Sequence, residues 1–166
     1  VDIGFFEPAM RVTPPLRQAR DRDALRAALA DGTIDALVSD HNPVAPDAKQ
    51  LPFAEAEPGG SGVELLLGLA LKWGRERDLE LTKTLAVVTS APVAVLGAAL
   101  GAHGRSAGRL VEGGVADLCL FDPAAFWQVS AEVLAGQGRN TPFMGHELPG
   151  KVRYTLVSGH IAFEAS

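Results

Sequence analysis

The fold that this sequence predicts depends on the stretch IDALVSD, residues 34–40. Its apolar run is too short for a helix and is bounded by turn residues, which is typical of a buried strand. A polar, proline-rich loop follows from His41 to Gly60, and an apolar helix begins after it. A strand, a long loop and a returning helix are the unit of a parallel α/β barrel, where functional residues lie at the carboxyl ends of strands. Asp40 holds that position, although an aspartate there is also a common turn residue.

Local signals predict further helices and strands on both sides of this stretch. Ser61 and Glu64 have the spacing of a capping box, which predicts a well-buried helix over residues 61–73. Asp21 is the predicted cap of an earlier helix, which Gly32 ends. Later in the chain we expect short helices at residues 82–89 and 92–96, β-type runs at 116–121, 127–129, 152–157 and 161–163, and a hairpin turn at 158–159.

Composition and charge exclude several classes of protein. The chain has 166 residues, of which 47% are hydrophobic and 21% charged, as in a soluble globular protein. The net charge of −5, with basic residues scattered among acidic ones, argues against a nucleic-acid partner. The apolar stretches read as too short to span a bilayer, so we expect no membrane association. The single cysteine, Cys119, fits a reducing, cytoplasmic location and is predicted to be a small buried residue.

Several short motifs follow one another along the chain. They are PPLR (14–17), DGTIDA (31–36), SDHNPV (39–44), PF (52–53), EPG (57–59), GVE (62–64), GRL (108–110), ADL (116–118), GRNTPF (138–143) and YT (154–155). In this order they resemble NPPLR, DGTID, TDHAPH and the later motifs of the dihydroorotase family of amidohydrolases. Each motif alone is weak. Together they cover almost the whole chain, so the resemblance is specific.

The resemblance implies a fold and a chemistry. The implied fold class is α/β, with the C-terminal part of a (β/α)8 TIM-like amidohydrolase barrel over residues 1–100 and a small β-rich domain over residues 101–166. The family hydrolyses or closes the cyclic amide of dihydroorotate in pyrimidine synthesis, and a zinc-bound hydroxide is its nucleophile. Asp40 matches the family's aspartate that binds metal and passes a proton to the leaving nitrogen.

The family's other metal ligands lie upstream of the matched motifs and are not in this sequence. One carboxylate does not make a zinc site, which needs three or four ligands. His41 adjoins Asp40 and stays open as a site residue, whereas His103, His146 and His160 are expected to be surface or turn residues. We therefore predict that this chain alone neither binds zinc nor catalyses the reaction.

Three of the family's substrate-binding positions are substituted. Thr13 replaces an asparagine, Val44 replaces the histidine that meets the substrate carboxylate, and Pro58 replaces a phenylalanine. Gly59 keeps a backbone donor at the fourth position. Losing a hydrogen bond to a charged group costs ~1.5–3 kcal/mol, and valine cannot compensate a desolvated carboxylate. The substitutions favour a degenerate site.

Two hypotheses about the parent protein stay open. The first is a non-catalytic, dihydroorotase-like structural partner of aspartate transcarbamoylase. The second is an active cyclic-amide hydrolase, either a dihydroorotase or a hydantoinase-like enzyme, although the ending at residues 138–143 argues against a hydantoinase. Residues 1–4 lack an initiator methionine, and residues 5–8 read as mid-protein sequence, so we expect a fragment. A partial barrel with the apolar helix face of residues 65–71 uncovered predicts self-association, or completion by another chain.

Overall fold

The computed structural model describes residues 5–165, apart from the side chains of residues 102, 103 and 105, so the prediction made on residues 1–4 lies outside it. The chain is an α/β structure in which helices come first and strands last. The α-helices are α1 (Ala19–Asp31), α2 (Leu66–Glu76), α3 (Leu81–Ala86) and α4 (Ser90–Leu96). The short 3₁₀ helices are Pro8–Met10, Asp47–Lys49, Val63–Leu65 and Gly97–Arg105. The strands are β1 (Leu118–Gln128), β2 (Glu147–Val157) and β3 (His160–Glu164).

Helix α1 ends where predicted and begins earlier than predicted. Gly32 follows its last residue with φ 86°, the left-handed conformation that glycine adopts without a Cβ penalty. The N-cap is Gln18, which makes no side-chain cap hydrogen bond. Asp21 therefore lies inside the first turn, where its carboxylate faces the positive end of the helix dipole and pairs with Arg17 at 3.5 Å. The prediction of Asp21 as the cap was wrong.

The predicted capping box at the start of α2 was also wrong. A 3₁₀ turn precedes α2, and the N-cap residue of neither helix makes a side-chain cap hydrogen bond. The Ser61 hydroxyl instead donates to the carbonyl of Gly138. The Glu64 carboxylate accepts the backbone N–H groups of Ala135 at 2.8 Å and Gly136 at 3.0 Å. Both cap candidates thus bind a distant loop, because that loop presents backbone groups that need partners.

Residues 34–39 form no strand in the described chain, which contradicts the predicted parallel strand ending at Asp40. A strand exists only where a neighbouring backbone completes its ladder, and the described sheet contains β1, β2 and β3 alone. The backbone N–H of Leu37 donates instead to the carbonyl of Val87 at 2.9 Å. The segment therefore has the apolar pattern of a buried strand without strand neighbours, and Val38 is 73% exposed.

The sheet has the order β1-β2-β3, and both pairings are antiparallel. Strand β1 merges the two runs predicted at 116–121 and 127–129, across an irregularity between Asp122 and Phe126. Ser158 (φ 50°) and Gly159 (φ 81°) form the predicted two-residue hairpin turn between β2 and β3. Within the described residues, β1 and β3 each leave one edge unpaired.

Two buried clusters hold the helices in place. The first consists of Leu65, Val129, Leu134 and Leu148. The second consists of Leu29, Trp73 and Val87. The first cluster joins the start of α2 to β2, so the helix face at residues 65–71 is covered and the expectation of an open face was wrong. Gly68 permits this approach, since an added Cβ would lie 3.0 Å from Leu148. The cluster draws on both sides of residue 100, and the division of the chain there stays a prediction.

The segment Leu81–Gly101 has 21 residues and is long and apolar enough to cross a membrane by length and composition. The prediction that no apolar stretch reaches this length was therefore wrong. A bilayer-spanning helix satisfies its backbone groups in one continuous helix. This segment is instead divided among α3, α4 and a 3₁₀ helix. Helices α3 and α4 confirm the two short helices predicted here, and α4 begins two residues earlier than predicted, at Ser90.

Candidate functional site

Asp40 stands where an irregular segment turns into the long loop, and its backbone has φ 44°. Few residues other than glycine adopt this left-handed conformation, and aspartate is among those that tolerate it. Strained backbone of this kind persists where the surrounding structure holds it, and it concentrates at functional sites. The Asp40 side chain is exposed. The loop residues around it are therefore the candidate site.

The backbone after Asp40 is held against a second loop. The N–H of Asn42 donates to the carbonyl of Gly60 at 3.0 Å, which forms an isolated antiparallel bridge. Gly59 has φ 141°, and an added Cβ there would lie 2.6 Å from the Asn42 carbonyl oxygen and 2.7 Å from Cγ2 of Val44. Only glycine fits this position, so the two loops lie in direct contact.

A third loop completes the arrangement. The N–H of Ser61 donates to the carbonyl of Asn140 at 2.7 Å, and the Ser61 hydroxyl donates to Gly138. Gly138 also lies against Pro43, where an added Cβ would clash. We call residues 39–44, 58–62 and 138–142 the three-loop cluster. The motifs SDHNPV, EPG and GRNTPF, far apart in sequence, contribute most of it.

His41 holds the start of the helical segment. Its Nδ1 accepts the N–H of Gly62 at 3.1 Å and lies 3.4 Å from that of Val63. A neutral imidazole that accepts at Nδ1 carries its proton on Nε2. His41 therefore supplies the cap that Ser61 and Glu64 do not. Sequence reasoning missed this role, because a cap that lies 21 residues before the N–H group it accepts has no local signature.

The predicted substrate positions partly come together. Val44 is 4% exposed and packs against Gly59. The carbonyl of Pro58 lies 3.4 Å from the Asn42 side-chain amide. The N–H of Gly59, the predicted donor, already donates to the carbonyl of Arg11 at 3.0 Å. Thr13 is exposed and follows Arg11 by two residues, so this bond ties its segment to the three-loop cluster.

A second set of contacts around Arg11 was not found from the sequence. The Lys49 ammonium donates to the carbonyls of Arg11 at 2.9 Å and Pro8 at 3.2 Å. The Arg11 guanidinium donates to the carbonyl of Phe53 at 2.8 Å. Burial, and then the Arg11 charge, hold the pKa of Lys49 below its usual range, and Glu57 partly opposes them. A basic residue in a polar loop has no sequence signal that distinguishes it from a solvated one.

The donor set does not fit a zinc ion. Among the side chains that the structure describes, no group of three or more histidine, cysteine, aspartate or glutamate residues is placed to hold a metal. Asp40 is the single described residue that matches a ligand of the resembled family, and zinc needs three or four. We therefore derive no metal-dependent step from these residues.

The other candidate side chains are three histidines and Cys119, and all of them are far from Asp40 in the sequence. His146 is half-buried with its ring edge-on to Phe143 at 5.7 Å, and burial lowers its pKa. His160 is exposed at the start of β3, while the side chain of His103 lies outside the described residues.

Cys119 is exposed on β1, so the prediction of a buried cysteine was wrong. Its neighbours on the narrow sheet do not cover it, although partial burial raises the pKa of its thiol.

Comparison with known proteins gives a consistent family. The chain matches the amidohydrolase family over residues 9–162. It is 49% identical over 156 residues to a "Dihydroorotase-like protein" of Pseudomonas putida, covering 94% of this chain and 35% of the relative. The corresponding protein of Pseudomonas aeruginosa is 45% identical, with 96% and 36% covered. A "Dihydroorotase" of Citrifermentans bemidjiense is 38% identical, again with 96% and 36% covered.

Solved hydantoinase structures share the fold. An L-hydantoinase from Arthrobacter aurescens superposes with a TM-score of 0.82 at 28% identity, covering 98% of this chain and 36% of that one. A D-hydantoinase gives 0.80 at 25% identity, with 95% and 34% covered. The chain spans about a third of the length of the relatives it matches. It belongs to the dihydroorotase family of amidohydrolases.

Proposed function

We propose that the whole protein is a dihydroorotase-like protein of pyrimidine biosynthesis in the cytoplasm, and that it is catalytically degenerate. In this proposal residues 1–100 are the C-terminal part of a (β/α)8 barrel. The protein acts as a structural partner of aspartate transcarbamoylase rather than as a hydrolase. Identity to the two Pseudomonas proteins named dihydroorotase-like is 49% and 45%, against 38% for a relative named dihydroorotase, which supports the first name.

The observation that carries the proposal is Val44. It stands where the resembled motif has a histidine, and it is 4% exposed against Gly59. An anionic substrate placed here meets a buried methyl group rather than a donor, and an uncompensated carboxylate is costly to desolvate. The Gly59 N–H, the remaining donor, is taken by Arg11. Both features lower the affinity for a carboxylate substrate.

The alternative is an active, zinc-dependent dihydroorotase. The Asp-His pair at 40–41 and the left-handed backbone of Asp40 favour it, because a strained residue at a loop junction is typical of a catalytic position. Asp40 would then be one metal ligand and the proton carrier, with its partner ligands supplied by the rest of the protein. Zinc would supply the charge that generates hydroxide at neutral pH.

Turnover by the whole protein separates the two. We expect the unmutated protein, supplied with zinc, to hydrolyse dihydroorotate at no more than the background rate, with its zinc content measured in the same sample. A rate of about 1 s⁻¹ or more, typical of a working enzyme, would establish the alternative. Mixing with aspartate transcarbamoylase of the same organism, followed by sedimentation, tests the partnership: two independent peaks contradict it.

A further inference from the structure

We propose that Lys49 is a positioning residue that holds the segment leading to Thr13 against Gly59, in the second loop of the three-loop cluster, which packs on Val44. Lys49 belongs to none of the substrate-facing positions discussed above. The inference deepens the proposed function and rests on it only in taking Thr13, Val44 and Gly59 as the positions that correspond to the family's substrate-binding residues. The predicted consequence is a local loss of order around these positions when Lys49 loses its donors.

The geometry places two donors on one acceptor. The carbonyl oxygen of Arg11 receives the Lys49 ammonium at 2.9 Å and the Gly59 N–H at 3.0 Å. The same ammonium reaches the carbonyl of Pro8 at 3.2 Å, so it spans the 3₁₀ turn Pro8–Met10. Lys49 therefore joins three segments: its own 3₁₀ helix, the N-terminal turn and the second loop of the three-loop cluster.

Arg11 closes the arrangement from the opposite side. Its guanidinium donates to the carbonyl of Phe53, in the loop that connects Lys49 to Gly59. The ring of Phe53 also lies edge-on to that of Phe6, with centroids 5.6 Å apart. Each segment thus donates hydrogen bonds to the other: Lys49 of the long loop donates to the N-terminal segment, and Arg11 donates to the long loop. Thr13 lies two residues after Arg11.

Holding the charged Lys49 ammonium at this position has a free-energy cost. The ammonium is half-buried beside the Arg11 guanidinium, and both effects disfavour its charged form. Two backbone carbonyls and the Glu57 charge offset that cost. A lysine has three donors on a long stem, so it can bond two carbonyls three residues apart in sequence. An apolar side chain of the same length can fill the space but cannot fix the carbonyls.

Lys49→Met in the whole protein tests the inference, since methionine keeps the length and removes the donors. We expect hydrogen–deuterium exchange to speed up about tenfold or more in the peptides covering residues 9–13 and 57–60. Exchange in β2 and β3 should stay unchanged. Lys49→Arg, which keeps a cationic donor, should restore part of the protection, and Lys151→Met on exposed β2 is the matched control.

A merely structural lysine would give a different pattern. It would raise exchange throughout α1, α2 and the sheet together with a lower melting temperature, and that outcome overturns the inference. Unchanged exchange at residues 57–60 overturns it as well. These readouts do not depend on turnover, so a failed inference is distinguishable from a failed proposed function. If the protein does turn over dihydroorotate, Lys49→Met should raise KM more than it lowers kcat, because Asp40 takes no part in the hydrogen bonds of Lys49 and Arg11. A fall in kcat with KM unchanged would contradict a positioning role.

Discussion

Gly59 is the residue at which three parts of the site meet, and its substitution tests that packing. Gly59→Ala forces a Cβ into the Asn42 carbonyl and the Val44 side chain on a backbone with φ 141°. Overpacking and backbone strain together should lower the free energy of unfolding of the whole protein by about 2–4 kcal/mol. Urea denaturation measures this change.

Gly32→Ala is the control that measures backbone strain without overpacking. Gly32 also has a positive φ, 86°, but an added Cβ there meets nothing within 4 Å. We expect a loss of roughly 1 kcal/mol from the left-handed conformation. Equal losses for the two variants would show that Gly59 is not closely packed in solution.

Cys119 gives a prediction that depends on pH. Partial burial raises the pKa of its thiol, and the thiolate is the reactive form. Alkylation by iodoacetamide at pH 8 should therefore be slower than that of free cysteine, and the difference should shrink as the pH rises above the raised pKa. The urea-unfolded protein, in which burial is lost, is the control. If the folded protein were alkylated at pH 8 as fast as free cysteine, the raised pKa of the Cys119 thiol would be contradicted.

At the scale of elements, Glu64 connects the start of α2 to the loop after β1. Glu64→Ala removes the acceptors of two backbone N–H groups, at Ala135 and Gly136. Because the site is only partly buried, we expect a loss of about 1–2 kcal/mol in unfolding free energy. Faster hydrogen exchange at residues 133–138 is the direct measurement.

Two further variants define what Glu64 does. Glu64→Gln keeps one acceptor oxygen and should lose about half as much, since its amide nitrogen cannot accept. Ser61→Ala removes the contact to Gly138 and leaves the two N–H groups bound, so exchange at residues 135–136 should not change. Equal exchange in Glu64→Ala and the unmutated protein would exclude the link.

The elements that sequence reasoning predicted well are those with local causes. Gly32 ends α1 through its own backbone freedom, and Ser158-Gly159 makes a turn that two residues define. The strand expected at 34–39 failed because pairing depends on distant backbone. The capping box failed for a related reason: Ser61 and Glu64 bond to a loop that lies 71 to 77 residues away.

The candidate site was also predictable only in part. Motif order led to Asp40, Val44 and Gly59, and the structure brings the last two into contact. The roles of His41 and Lys49 were not predictable. Each acts on the backbone of another segment, and no spacing along the chain records that contact.

At the scale of the whole molecule, we predict that this chain self-associates when produced alone, or is completed by another chain. The apolar face of α2 is covered, so the cause lies in the sheet. Leu120, Ile161 and Phe163 are 47–60% exposed, and β1 and β3 each have an unpaired edge among the described residues. Exposed apolar edges are prone to pair.

Sedimentation velocity over a concentration series measures this association. Replacing Ile161 and Phe163 together by threonine keeps the strand propensity of β3 and should shift the distribution toward smaller species. A dilute monomer that melts sharply, seen for the unmutated chain, would contradict the prediction.

The long-range bonds of the three-loop cluster also set the order in which a new chain can acquire its site. Asp40 leaves the ribosome about 100 residues before Gly138 and Asn140, which hold its neighbours in place. At ordinary rates of synthesis that interval is roughly 5–20 s. Closing so large a loop also carries an entropic cost that local helices do not meet. The helices α1 and α2 can therefore form during translation, while the loop around Asp40 stays open to proteases and chaperones until the last strands emerge.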